Sequence, residues 1–231
     1  MSARYAVFFA PERHSPWHQF GAQWLGRDEH DSSLLLQPAL AEICPAEFAQ
    51  ITEEPRRYGF HATLAAPFRL ARGVDEFALV AQLQALAREQ KSVLLSPLRI
   101  ASLGNVLALI PKHSPDSLNL LAAVCVVQLS DLRAPLNNEE LTRRRAAHLD
   151  VRETELLAQY GYPHVMERFR LHFTLTGPAT PRAVQSIIEV LTPQLAQLHL
   201  DAPLWLDRLC LFIEPSPGEP FKRIIDLLLQ P

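Results

Sequence analysis

Hydrophobic positions follow two rhythms along this chain, and the rhythms alternate. Arg4 to Ala10 (RYAVFFA) is a short apolar run stopped by Pro11, which predicts a strand. From Pro16 to Trp24 apolar residues recur at helical spacing, with Ser15 as N-cap, proline at the first helical position and Gly26 at the end. Leu34 to Glu54 is cut by Pro38 and Pro45 into short helical pieces. Val74 to Gln90 predicts an amphipathic helix packing through Phe77, Val80, Leu83, Leu86 and Ala87. Val93 to Ile100 and Val106 to Ile110 predict strands joined at Gly104-Asn105, with Pro97 marking an edge or a bulge. Further helices are predicted over Asp116 to Leu132 (capped by Ser114, with Pro115 at its start), over Val151 to Tyr160, and from Thr180-Pro181 to about Leu198. Leu204 to Ile213 and Phe221 to Leu229 are the last predicted strands.

Two pieces of this pattern are near copies. Tyr58 to Pro67 reads YGFHATLAAP and Phe169 to Pro178 reads FRLHFTLTGP; His, Thr, Leu and Pro coincide. Both predict short strands, and side chains on a strand alternate between faces. His61 and Thr63 therefore share one face, opposite Phe60, Ala62 and Leu64. Arg170, His172, Thr174 and Thr176 share a face in the second copy. Each copy is followed by a long helix and two strands. The repeated order predicts an α+β fold: one domain over 1–231 made of two pseudo-symmetric lobes, each a mainly antiparallel sheet with helices outside. An additional helical segment occupies about 114–167. A pseudo-two-fold axis would set His61 and His172 facing each other across a central cleft.

Charge narrows the ligand. A net charge of −3 argues against long nucleic acids, which need a positive surface, and leaves a small phosphorylated substrate or an RNA end. Cys44, Cys125 and Cys210 show neither disulfide nor zinc spacing and fit a reducing cytoplasm. The N-terminus lacks a signal-peptide pattern and no apolar run reaches membrane-spanning length, so a cytoplasmic protein away from membranes, and a monomer, is expected. His14 and His18 stand at a metal-capable spacing, but no third ligand follows nearby and they read as surface histidines. No metal or other cofactor is expected.

Two facing His-x-Thr pairs suit paired acid–base work. One neutral imidazole removes a proton from water or a hydroxyl, and the other, protonated, gives one to a leaving oxygen. The threonine hydroxyls donate to non-bridging oxygens where charge develops. His61, Thr63, His172 and Thr174 are the catalytic candidates, with acid and base not distinguished. Tyr5, Arg57, Tyr58 and Arg170 are candidates for holding the substrate. Arg143-Arg144-Arg145 reads as a solvated face or as a closure over an anion, and His164 is left outside the site. The same cleft would also serve a non-catalytic module binding a phosphorylated metabolite or RNA end. A metal hydrolase is the weakest reading, because each His-x-Thr supplies one nitrogen and no adjacent carboxylate.

The doubled phrase resembles the two-histidine phosphoesterase superfamily, which includes the bacterial RNA ligase-like cyclic phosphodiesterases. That resemblance implies a bilobal fold, metal-independent chemistry, 2′,3′-cyclic phosphate or similar substrates, and the tetrad His61, Thr63, His172 and Thr174. The wider stretches YGFHATLAAPF, GYPHVMERFRLHFTLTGP and LCLFIEPSPGEPF are similar to a bacterial branch of phosphonate-metabolism proteins, which implies a biological context. The segment 114–167 departs from the minimal two-lobed pattern and could cover the cleft.

Overall fold

The computed structural model describes residues 3–145 and 148–231. Its alternating segments form the strands β1 (Arg4–Phe9), β2 (Ala62–Phe68), β3 (Val93–Leu94), β4 (Leu98–Leu103), β5 (Val106–Pro111), β6 (Phe173–Thr174), β7 (Trp205–Leu206), β8 (Arg208–Glu214) and β9 (Lys222–Leu228). The helices are α1 (Pro16–Leu25), α2 (Pro45–Ile51), α3 (Glu53–Tyr58), α4 (Glu76–Glu89), α5 (Asp116–Gln128), α6 (Asn138–Arg145), α7 (Val151–Tyr160) and α8 (Pro181–Asp201). The fold is α+β. Caps fall where the sequence put them for α1: Ser15 accepts from His18 N and Gly26 closes the helix in the left-handed region; α7 is ended in the same way by Gly161. For α5 the start moves on by one, with Pro115 at the N-cap and no side-chain cap. Among the described residues, no helix is long and apolar enough to cross a membrane.

The expected pair of equivalent sheets is replaced by one seven-stranded sheet and a separate two-stranded ribbon. Seven strands hydrogen-bond in the order β4-β5-β6-β2-β1-β8-β9, and every neighbouring pair is antiparallel. The reason is that the two motif strands pair with each other directly, Ala62 opposite Phe173, so the halves are joined at a seam instead of standing apart. The first half's hairpin, β4-β5, lies beside the second half's motif strand β6. The second half's hairpin, β8-β9, lies beyond β2 with β1 between. The repeat survives as local symmetry: β3 and β7, the first strands after each long helix, also pair with one another, Val93 with Leu206 and Leu94 with Trp205.

One face of the sheet carries the main core. Val7, Phe9, Leu64, Phe173 and Leu211 meet Trp17 and Trp24 of α1, Leu79 and Leu83 of α4, Leu118 and Leu121 of α5, and Ile187 and Leu191 of α8. Full burial of each such side chain is worth about 1.5–3 kcal/mol. In α4 the buried residues are Leu79, Leu83, Leu86 and Ala87, while Phe77 is 82% exposed. Phe77 precedes Leu79 by two positions, about 200° around the helix, and so points away from the packed side. The opposite face of the sheet holds a smaller cluster, Ala6, Phe8, Ala10, Cys210, Phe212 and Phe221, with Tyr58 packed on it. β1 is therefore apolar because both its faces are covered. His14 and His18, read as two surface histidines, separate: His14 is exposed and His18 is buried.

Candidate active site

The first histidine is aimed by the turn in front of it. α3 ends at Gly59, whose φ of 82° belongs to the left-handed region that favours glycine; a Cβ there would also lie 2.7 Å from Glu29 Cβ. The Gly59 carbonyl then accepts from His61 Nδ1 at 2.9 Å. The second copy repeats the device, with the Arg170 carbonyl 2.8 Å from His172 Nδ1. A carbonyl can only accept, so in both neutral rings Nδ1 carries the proton and Nε2 is the free nitrogen. Thr63 Oγ1 lies 3.4 Å from His61 Nε2.

Strand pairing assembles the tetrad. Continuing the Ala62–Phe173 register by one residue each way sets His61 opposite Thr174 and Thr63 opposite His172. Directly opposed residues share a sheet face, about 4.5–5.5 Å apart at Cβ. Each histidine thus has its own threonine two residues on and the other copy's threonine across the seam. All four line one cavity of about 600 Å³. An adjoining cavity of about 590 Å³ shares Thr63, Tyr162 and His172 with it and is lined further by Arg170 and His164. A shallower hollow of about 1000 Å³, lined by Glu47, Gln50, Arg56 and Thr180, holds none of the four, so size alone does not mark the site.

The two imidazoles sit in different surroundings. The His61 ring is 3.9 Å from that of Phe8 and 5.7 Å from that of Tyr58, centroid to centroid. Burial among these rings pushes its pKa down to about 4; the Gly59 carbonyl opposes the shift and neighbouring His172 adds to it. His172 stands at the junction of the two cavities. Between about pH 4 and its ordinary value near 6.5, His61 binds fewer protons folded than unfolded. Its contribution to stability is therefore full above pH 6.5 and is lost as pH falls towards 4. Urea unfolding at pH 7 and pH 5 should show wild type losing more stability than His61→Gln; equal losses would contradict the burial argument.

Of the residues expected to hold substrate, three are brought to these cavities. Tyr58 stacks between His61 and Phe221. Arg57 lies on α3 and not on the first motif strand; it lies over the Tyr58 ring at 5.3 Å and pairs with Glu214. Arg170 lines the adjoining cavity. Tyr5 is not brought there. It packs in the main core on the helix-covered face, and its hydroxyl donates to Glu76 Oε2 at 2.9 Å. His164 also lines the adjoining cavity, with Nδ1 3.5 Å from Glu153.

Residues 63–222 match the family described as "Protein of unknown function (DUF1045)". The chain belongs to this family. Two curated relatives carry the name "Ribose 1,5-bisphosphate phosphokinase PhnN". The one from Janthinobacterium sp. (strain Marseille) is 38% identical over 221 residues, covering 94% of this chain and 49% of the relative. The one from Laribacter hongkongensis (strain HLHK9) is 36% identical over 231 residues, covering 98% of this chain and 52% of the relative. The chain thus spans about half the length of both.

Within this DUF1045 chain the sequence reading missed Arg4, Glu214 and Tyr162. Arg4 shares its face of β1 with Phe8 and lines the cavity; it and Arg57 both pair with the fully buried Glu214 carboxylate. Two cations around one anion leave the wall with positive charge. The arginine run does reach the cleft. Arg144 lines the cavity, lies over the Tyr162 ring at 5.2 Å and donates to the Pro67 carbonyl at 3.3 Å. The side chains of Arg143 and Arg145 lie outside the described residues. The additional segment therefore supplies a wall of the site through α6 and Tyr162.

Proposed function

We propose that this chain is a metal-independent phosphoesterase that opens a cyclic phosphate on a small sugar. The observation that carries this reading is the antiparallel pairing of two His-x-Thr strands with both Nδ1 atoms tied to backbone carbonyls. His61, neutral because buried, is the base: its Nε2 takes a proton from water as the water oxygen bonds to phosphorus. His172 is the acid, and its Nε2 proton goes to the ester oxygen as the phosphorus–oxygen bond of the ring breaks. The Thr63 and Thr174 hydroxyls donate to the non-bridging oxygens. One water is consumed, and solvent returns the proton from His61 to His172. The acid limb of kcat/KM should then lie near the His61 value of about 4, well below 6.5. Thr63→Val and Thr174→Val keep shape and lose the donor, and each should lower kcat by about 100-fold.

The substrate class follows from charge and from chemistry. A cavity of about 600 Å³ suits a sugar or a nucleotide. Arg4, Arg57, Tyr58 and Arg144 surround the tetrad. The guanidinium of Arg170, without an ion-pair partner among the described residues, suits a second phosphate in the adjoining cavity. Ribose 1,2-cyclic phosphate bearing a 5-phosphate becomes ribose 1,5-bisphosphate when the bond to O2 breaks. That is the compound in the relatives' name. No Gly-Lys-Ser/Thr loop of a P-loop kinase stands in this chain. On this reading the named phosphokinase belongs to the half of the relatives that this chain does not cover. The resemblance to phosphonate-metabolism proteins fits the same substrate.

The test offers ribose 1,2-cyclic phosphate, its 5-phosphate and 2′,3′-cyclic nucleotides to the purified chain, with chelator added at the start of the assay. Ring opening is followed by ³¹P NMR. Turnover fastest on the ribose 5-phosphate form supports the reading. Turnover fastest on a nucleotide moves the substrate to RNA ends. Tight binding without turnover on any compound replaces the enzyme with a binding module.

A further inference from the structure

Among the described residues, buried side-chain polar atoms without a hydrogen-bond partner gather in one stretch: His18 Nε2, Arg27 Nε, Glu29 Oε2, His30 Nε2 and Ser32 Oγ. Such atoms are rare in folded proteins and ask for a water or an ion. We propose that α1 and the loop that follows it hold one divalent transition-metal ion, zinc foremost, between His18, Asp28 and His30.

Ligand atoms of these three residues lie within 4.8 Å of one another. His18 is 4% exposed, and its unpartnered Nε2 is 3.7 Å from Asp28 Oδ1 and 3.5 Å from Glu29 Oε1. Those separations are too long for hydrogen bonds and leave room between the groups. Glu29 is fully buried beside the three ligands; Arg223 approaches its Oε1 at 3.4 Å, and its Oε2 has no partner and lies towards Gly59, so the fourth ligand is a water. Two imidazoles with a carboxylate select zinc and its neighbours over calcium or magnesium, which prefer all-oxygen shells. A hollow of about 410 Å³, lined by His14, His18 and Asp28, gives a path from solvent. Two contacts oppose the site, and the first is Arg13, whose Nη2 lies 3.5 Å from Asp28 Oδ2 and would have to yield Asp28 to the ion. In the second, His14 N donates to His18 Nδ1 at 3.4 Å, and ligation through Nε2 would put a proton on that Nδ1. The contact is at the long limit of a hydrogen bond and would be given up. The same cluster braces the catalytic turn, because Glu29 packs against Gly59, whose carbonyl holds His61.

The test uses the full chain stripped with chelator and titrated with Zn²⁺ and with Co²⁺. Expected are one ion per chain, visible Co²⁺ bands of low coordination number, and a thermal midpoint raised by about 5–10 °C at 100-fold excess over Kd. His30→Ala, on the half-buried loop, should weaken binding by at least about 100-fold and abolish the rise, and Asp28→Asn should do the same where His30→Ala folds poorly. His61→Ala should bind Zn²⁺ as wild type does, which separates this ion from the cleft. No saturable binding, binding unchanged in His30→Ala, or binding lost in His61→Ala would each overturn the proposal. None of these readouts depends on turnover.

Discussion

Replacing His61 or His172 with alanine is expected to lower turnover by about 10³–10⁴-fold in each case, with the fold intact. Each ring makes its hydrogen bond to a carbonyl only two residues back in its own chain, at 2.9 Å for His61 and 2.8 Å for His172. Removing either ring therefore breaks no hydrogen bond between elements, although His61→Ala also gives up packing against Phe8 and Tyr58. The two losses should not add. Both groups serve one proton circuit, so once the base is gone the acid has little left to assist, and the double variant should be close to the worse single one. Binding should behave differently from turnover. Arg4, Arg57 and Arg144 line the tetrad's cavity and Arg170 the adjoining one, so on the proposed reading affinity for an uncleaved analogue should change by less than 10-fold, which is about 1.4 kcal/mol. Imidazole added to the alanine variants should restore part of the rate, since the ring's space is left open. Full turnover in both single variants would end the phosphoesterase proposal. Equal loss of binding and turnover would move the site towards recognition alone.

How far the site could be read in advance depended on distance along the chain. The doubled His-x-Thr phrase was legible because local alternation is enough to put His61 with Thr63, and His172 with Thr174, on one strand face each. The order of a strand, a long helix and further strands in each half was legible for a similar reason, since periodicity distinguishes helix from strand locally; the first strand expected after each helix is split in two, β3 and β4 in one half and β7 and β8 in the other. What was not legible was pairing across the seam. Nothing local says that β2 and β6 hydrogen-bond to each other, and that single contact turns two expected sheets into one. Tyr5 illustrates the same limit. β1 is apolar on both faces, so its pattern does not reveal which face is the site; Arg4 and Phe8 are on that face and Tyr5 is not. Arg57, next to the first motif strand in sequence, belongs to the last turn of α3. Glu214, which anchors Arg4 and Arg57, is more than 150 residues from both, as the separations of 210 and 157 show. His18 was read with His14 as a surface pair; it does touch His14, but it is buried and its Nε2 faces Asp28 and Glu29 from the loop after α1.

Gly21→Ala should be the most damaging small substitution away from the cleft, against what helix propensity alone predicts. In an ordinary helix interior the change stabilises by about 1 kcal/mol. Here a Cβ on Gly21 would lie 2.0 Å from Phe60 Cγ, 2.3 Å from its Cδ1 and 2.4 Å from its Cβ. A rotamer change cannot clear a clash that includes the Phe60 Cβ itself. Nor is the ring free to retreat, since it is 1% exposed, stacks on Phe173 at 4.8 Å and meets Phe20 edge-on at 5.8 Å. The backbone between Gly59 and Ala62 must move instead, and Gly59 is already closed against Glu29. Overpacking of this kind costs about 1–3 kcal/mol, and here it exceeds the propensity gain. The moved residue is followed by His61, so turnover should fall by about 100-fold as well, the loss expected for an ångström of misplacement at a catalytic group. Gly73→Ala is the control: its φ of 84° strains alanine, but no atom lies within 4 Å, so it should lose some stability with turnover unchanged. Phe60→Ala added to Gly21→Ala removes Cγ and Cδ1 from the clash and leaves only Cβ, so the double variant should lose less stability than the sum of the two single losses, a positive coupling in a double-mutant cycle. A Gly21→Ala protein at least as stable as wild type with full turnover would mean that α1 does not press on the motif strand, and that His61 is positioned by Gly59 alone.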